Sequence, residues 1–138
     1  MEAAEMERVI RRDPIMHDAT WGVFARSELP SGPLLPGAYV LNTTDAPGEH
    51  WILIYVGDDG HVELFDSLGR TENDYGLQFN STTLPKRLQS FNSKNCGLYV
   101  VYFLFWRSRG IDVNTLFHSL EKNGDQRVLE HYSSLCND

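Results

Sequence analysis

The stretch LQSFNSKNCGLYVVYFLFW, residues 88–106, decides the fold. It opens polar, turns apolar at Cys96-Gly97, and stays apolar almost all round to Trp106. Periodicity alone does not separate a buried strand from a buried helix in such a run. Its length beyond ten residues, and its close at RSRG with two arginines and then Gly110, favour a helix. Cys96 then stands where a buried helix begins. It is either a small apolar core residue or a thiol presented by a helix N-terminus, where backbone N–H groups favour the thiolate.

Outward from that helix, Met6, Val9 and Ile10 share a face of a short helix expected over residues 2–12, stopped by Pro14. A turn-rich stretch with Pro30, Pro33 and Pro36 follows, carrying the aromatic island TWGVF. Strands are expected in GAYVLNT (37–43), WILIYVG (51–57) and HVELFD (61–66), the last two joined by GDDG, a hairpin signal. After a polar loop and the central helix, two amphipathic helices are expected, VNTLFHSLEKN closed by Gly124, and DQRVLEHYSSL. The expected fold is α+β: one domain over 1–138, a small, mostly antiparallel sheet around a central buried helix that carries Cys96.

With 138 residues the chain can bury a core without disulfides, and its two cysteines, forty residues apart, make no disulfide framework. The composition reads as intracellular. The charged N-terminus has no signal-like apolar segment, and the longest apolar run is about half a membrane span. Nineteen acidic against twelve basic residues give a net charge of −7, which repels polyanions, so strong DNA binding is not expected. The short basic clusters (Arg8, Arg11 and Arg12; Lys86 and Arg87; Arg107 and Arg109) read as solvated helix ends and loops. Asn42-Thr43-Thr44 and Asn80-Ser81-Thr82 match the glycosylation pattern but need a secretory route.

A thiolate needs a base, and the base an orienting group. His17, His61, His118 and His131 read as surface or helix-flank residues. His50 directly precedes the strand WILIYV, and Asp66 ends the partner strand at the same end of the hairpin. Asp66 would fix the imidazole tautomer and leave the other nitrogen for the thiol; a turn-forming role for it is equally open. Gln89, seven residues before Cys96, could donate to an oxyanion together with the Cys96 N–H.

His50-Trp51, Phe65-Asp66, Gln89 and Cys96-Gly97, in that order and spacing, resemble the adenain (adenovirus protease) and Ulp superfamily of cysteine proteases, adenain more closely. VLNTTDAPGEHW, LFDSLG, QSFNSKNCGLY and WGVFARSELP resemble successive segments of that family, over about residues 5–107. The resemblance implies a papain-like or Ulp-like fold and a thiol endopeptidase with His50, Asp66, Gln89 and Cys96 as catalytic set. It further implies a substrate cleft lined by Trp21, Gly22 and Trp51, and cleavage after small, Gly-rich sites in viral or virus-derived precursors. A monomer acting on protein or peptide, in a host nucleus or virion, fits that reading. Asp66 stands where mammalian adenains typically carry glutamate. Residues 67–95 hold no counterpart of the adenain cysteine that captures a peptide cofactor; no cofactor is expected, and no metal. A Ulp-like isopeptidase, an acetyltransferase effector of the YopJ group, and a non-catalytic binding module on the same fold are the alternatives.

Overall fold

A computed structural model of the chain describes residues 1–30, 32–43, 50–83, 85–89 and 94–136. The polar stretch leading to His50, Thr44 of the first sequon and the Asn92-Ser93 piece of the QSFNSKNCGLY segment lie outside the described residues.

The 88–106 stretch does contain a helix. It runs Cys96–Arg107 (α3) and buries Tyr99, Val100, Val101, Phe103 and Leu104. Each such side chain contributes about 1.5–3 kcal/mol on leaving water. Burial therefore places this helix, since Asn95 gives it no side-chain cap. Gly110, at φ +91°, lets the chain turn away beyond its end.

The sheet has four strands in sequential order: β1 (Thr20–Ala25), β2 (Gly37–Asn42), β3 (Trp51–Val56) and β4 (Val62–Phe65). Alternation sorts its side chains. Ala38, Val40, Trp51, Leu53 and Phe65 face α3 and the other helices. Tyr39, Leu41, Ile52, Ile54 and Leu64 face a second core, closed by loops that carry Leu29, Leu34, Tyr75, Leu77 and Phe79. The β2–β3 and β3–β4 pairs are antiparallel, whereas β1 pairs parallel with β2, so the sheet is mixed. The island TWGVF lies in that added strand, and the proline-bearing Arg26–Pro36 segment is the long crossover a parallel pair requires.

Three other elements depart from expectation. Pro14 does not simply stop α1 (Ala3–Arg12). It is the first residue of α2 (Pro14–Ala19), capped by Asp13, whose side chain accepts from the Met16 N–H. The helix after α3 is short, Val113–Ser119 (α4), and Gly124 does not close it. Asn123 takes the left-handed turn at φ 56°, and Gly124 opens α5 (Gly124–Cys136). There a Cβ would stand 2.7 Å from the Tyr99 hydroxyl oxygen, so packing demands the glycine. His131 is no surface histidine. It packs between Tyr102 and Phe105 (ring centroids 5.2 and 4.7 Å away), with neither ring nitrogen hydrogen-bonded.

Candidate active site

The β2–β3 register puts Asn42 opposite Trp51, so His50 sits just beyond the end of the ladder. β4 ends at Phe65, and the chain then turns at Asp66, whose carbonyl accepts from the Gly69 N–H (2.9 Å). That turn swings the Asp66 carboxylate under the imidazole, with His50 Nε2 2.6 Å from Asp66 Oδ1. Oδ1 also accepts from the Leu68 N–H (2.9 Å), and Oδ2 from the Arg70 N–H (3.1 Å) and the Tyr75 hydroxyl. Asp66 is thus both turn-former and histidine partner.

Nε2 being engaged, Nδ1 is left for the Cys96 thiol, with which the ring shares a hydrogen bond. Cys96 is the first residue of α3. Its sulfur accepts from the Trp51 N–H at 3.5 Å and from the Gly97 N–H. Burial alone would raise the thiol's pKa, but the His50 hydrogen bond, these N–H donors and the imidazolium charge hold it below the ordinary thiol range. Burial likewise opposes charge on His50, yet the bonds to Asp66 and Cys96 push its pKa up to about 9. For Asp66 too, burial is outweighed, first by His50 and then by Tyr75, and its pKa lies below the carboxylate range. The combination favours a thiolate–imidazolium pair braced by a carboxylate.

Gln89 joins from the far side of the turn. Gly69, at φ +73°, has the Arg87 backbone N only 2.7 Å from where a Cβ would stand. That approach allows the Leu68–Arg87 bridge. The Leu88 and Gln89 N–H groups donate to the Ser67 carbonyl (2.8 and 2.9 Å), and the Ser67 hydroxyl donates to Gln89 Oε1 at 2.5 Å. The residue after the acid therefore orients the amide.

Of the expected cleft residues, Trp51 meets the thiol through its backbone N–H, while its side chain, 1% exposed, packs in the core rather than along an open cleft. Trp21 and Gly22 do not meet it. Because β1 runs parallel to β2, its C-terminal residue Ala25 reaches the Asn42 end, while Gly22 pairs with Tyr39. Trp21, four residues before Ala25, is roughly 13 Å back along the strand. Its indole donates to the Pro36 carbonyl (2.9 Å), and the Phe24 ring fills the space over Gly22.

Two contributors escaped the sequence reading. Tyr75 is 5% exposed, with its hydroxyl on Asp66 and its ring stacked 6.2 Å from that of His50. Its only signal was a lone aromatic residue in the polar run TENDYG. Ser67 had no signal beyond following the acid. Cys136 ends α5 half-buried, about forty residues along the chain from Cys96 and outside this grouping. Among the described residues no acidic, histidine or cysteine cluster is arranged for a metal, and no helix is long and apolar enough to cross a membrane. Comparison of the chain with family models and with curated proteins returned no match.

Proposed function

We propose that the chain is a cysteine endopeptidase on a papain-like or Ulp-like fold, of the adenain type. The contact that carries the reading is the buried relay from Asp66 through His50 to Cys96 at the start of α3. The Cys96 thiolate attacks the scissile carbonyl carbon, and the C–S bond forms as the carbonyl oxygen takes the negative charge. The Cys96 N–H and the Gln89 amide receive that oxyanion. His50, protonated through Nδ1, gives its proton to the leaving amine as the C–N bond breaks. It then takes a proton from the water that hydrolyses the thioester, and Asp66 holds its orientation throughout.

The substrate in this reading is a peptide with small residues before the cleaved bond. A groove lined by Leu29, Leu34, Leu77 and Phe79, beyond Tyr75, suits an aliphatic anchor further upstream. DNA is not a required partner. Lys86 pairs with Glu121, Arg107 with Glu63 and Arg109 with Asp13, so three of the seven clustered basic residues are already neutralised. The test is hydrolysis of a glycine-rich peptide library with Cys96→Ala and Cys136→Ala variants. Turnover lost with the first and kept with the second supports the reading. Turnover surviving Cys96→Ala in a folded protein overturns it.

A further inference from the structure

Resting on that protease reading, we infer that Met1 is a specificity-determining wall of the approach to Cys96. The Met1 carbonyl accepts from the Trp51 indole Nε1 at 2.9 Å. The backbone N–H of the same Trp51 donates to the Cys96 sulfur, so one residue ties Met1 to the nucleophile. On the helix side, a Cβ at Gly97 would lie 3.1–3.3 Å from Met1 Sδ, Cβ and Cε. The Met1 side chain therefore lies on the first turn of α3, so close that a side chain at residue 97 would have to push it back by a few tenths of an ångström.

Its place is imposed from the other side as well. Glu2 precedes the first turn of α1, where the Met6 N–H donates to the Glu2 carbonyl (3.0 Å), and α1 is anchored in the core through Met6, Val9 and Ile10. Residue 1 has little freedom to leave without unwinding that turn. What remains open is narrow: Cys96 is 7% and His50 9% exposed. A substrate backbone reaching the sulfur past Met1, whose carbonyl caps the buried Trp51 indole, must carry glycine-like residues next to the scissile bond. The unbranched thioether of Met1 shapes that passage without closing it.

The test uses Met1→Gly, Met1→Leu and Met1→Trp, made with a removable N-terminal fusion that leaves residue 1 in place. Two readouts are taken: Cys96 alkylation by iodoacetamide against a bulky N-aryl maleimide, and the kcat/KM preference for Gly over Leu at the position before the cleaved residue. Met1→Gly is expected to raise the maleimide-to-iodoacetamide rate ratio and relax the glycine preference, each by about 10-fold, the order for reshaping a pocket wall by a few methylenes. Met1→Leu should keep both, and Met1→Trp should sharpen both. Unchanged ratios across variants with intact melting temperatures overturn the wall while leaving the protease reading standing. A shifted labelling ratio in a protein that cleaves no peptide upholds the wall and removes the protease reading.

Discussion

Removing the His50 imidazole gives the sharpest measure of how the site works. In the folded protein the thiol is shielded from water, and burial is the largest single influence on its pKa, in the unfavourable direction. His50→Ala leaves that burial and the Trp51 and Gly97 N–H donors in place, and deletes the hydrogen bond and charge that outweigh it. Opposite charges about 4 Å apart at an effective dielectric constant of about 20 attract by about 4 kcal/mol, equivalent to about 3 pKa units. The Cys96 pKa should therefore rise, burial then being the largest influence left on it. A more basic thiolate is also more nucleophilic, with a Brønsted coefficient of about 0.4–0.5, which returns about half the loss on a logarithmic scale. The net expectation, below both titrations, is a fall of about 30-fold in Cys96 alkylation. The assay is iodoacetamide labelling against pH, resolved by mass spectrometry into Cys96 and Cys136 and accompanied by melting curves. An apparent Cys96 pKa that does not move in the folded variant refutes the ion pair. So does a wild-type protein in which Cys136 is the faster thiol at acid pH.

The same ion pair requires kcat/KM to rise with ionisation of Cys96, below the ordinary thiol range, and to fall as His50 loses its proton near about 9. Asp66→Asn removes the strongest influence raising His50, so the alkaline limb should move toward the ordinary histidine value of about 6.5, and an unmoved limb would exclude Asp66 as its support. Far from the site, His131 has a folded pKa pushed down to about 4, first by burial and then by Arg109. The unfolded chain therefore takes that proton first as pH falls, so its contribution to stability is whole above about 6.5 and is lost progressively toward about 4, about 1–2 kcal/mol after allowing for partial exposure. Melting temperatures at pH 7 and pH 4.5 should separate in the wild type and converge in His131→Phe; an equal separation in both removes His131 as the cause.

How much was legible in the chain follows from where each residue stands in it. Cys96 and His50 mark junctions between polar and apolar runs, where a regular element starts, and such junctions survive folding because burial enforces them. The directions of β2, β3 and β4 followed from the hairpin and from alternation that is good on both faces. The direction of β1 did not. Nothing local in TWGVFA distinguishes a strand parallel to its neighbour from one antiparallel to it, because the difference lies in the course of the Arg26–Pro36 crossover. The resemblance placed Trp21 and Gly22 at the cleft, and the parallel register of β1 sets them at the far end of the sheet from Cys96. Gly124 was misread for a related reason: its value is the close approach of Tyr99 from another helix, a contact that no spacing in the sequence contains.

The turn-forming and histidine-orienting readings of Asp66 looked like rivals, and the structure makes each a condition of the other. The Leu68 and Arg70 N–H groups and the Tyr75 hydroxyl fix the carboxylate so that one oxygen meets the imidazole. An unanchored carboxylate would keep rotamer freedom and orient His50 poorly. The next residue repeats the device, since Ser67 uses its carbonyl on the Leu88 and Gln89 N–H groups and its hydroxyl on the Gln89 amide. Gly69 then supplies the backbone clearance that lets the Arg87 segment come so near. Four consecutive residues, Asp66 to Gly69, hold the histidine on one side and the glutamine on the other. The groups that position His50 and Gln89 therefore sit in the turn itself and in the segment it bridges at Arg87.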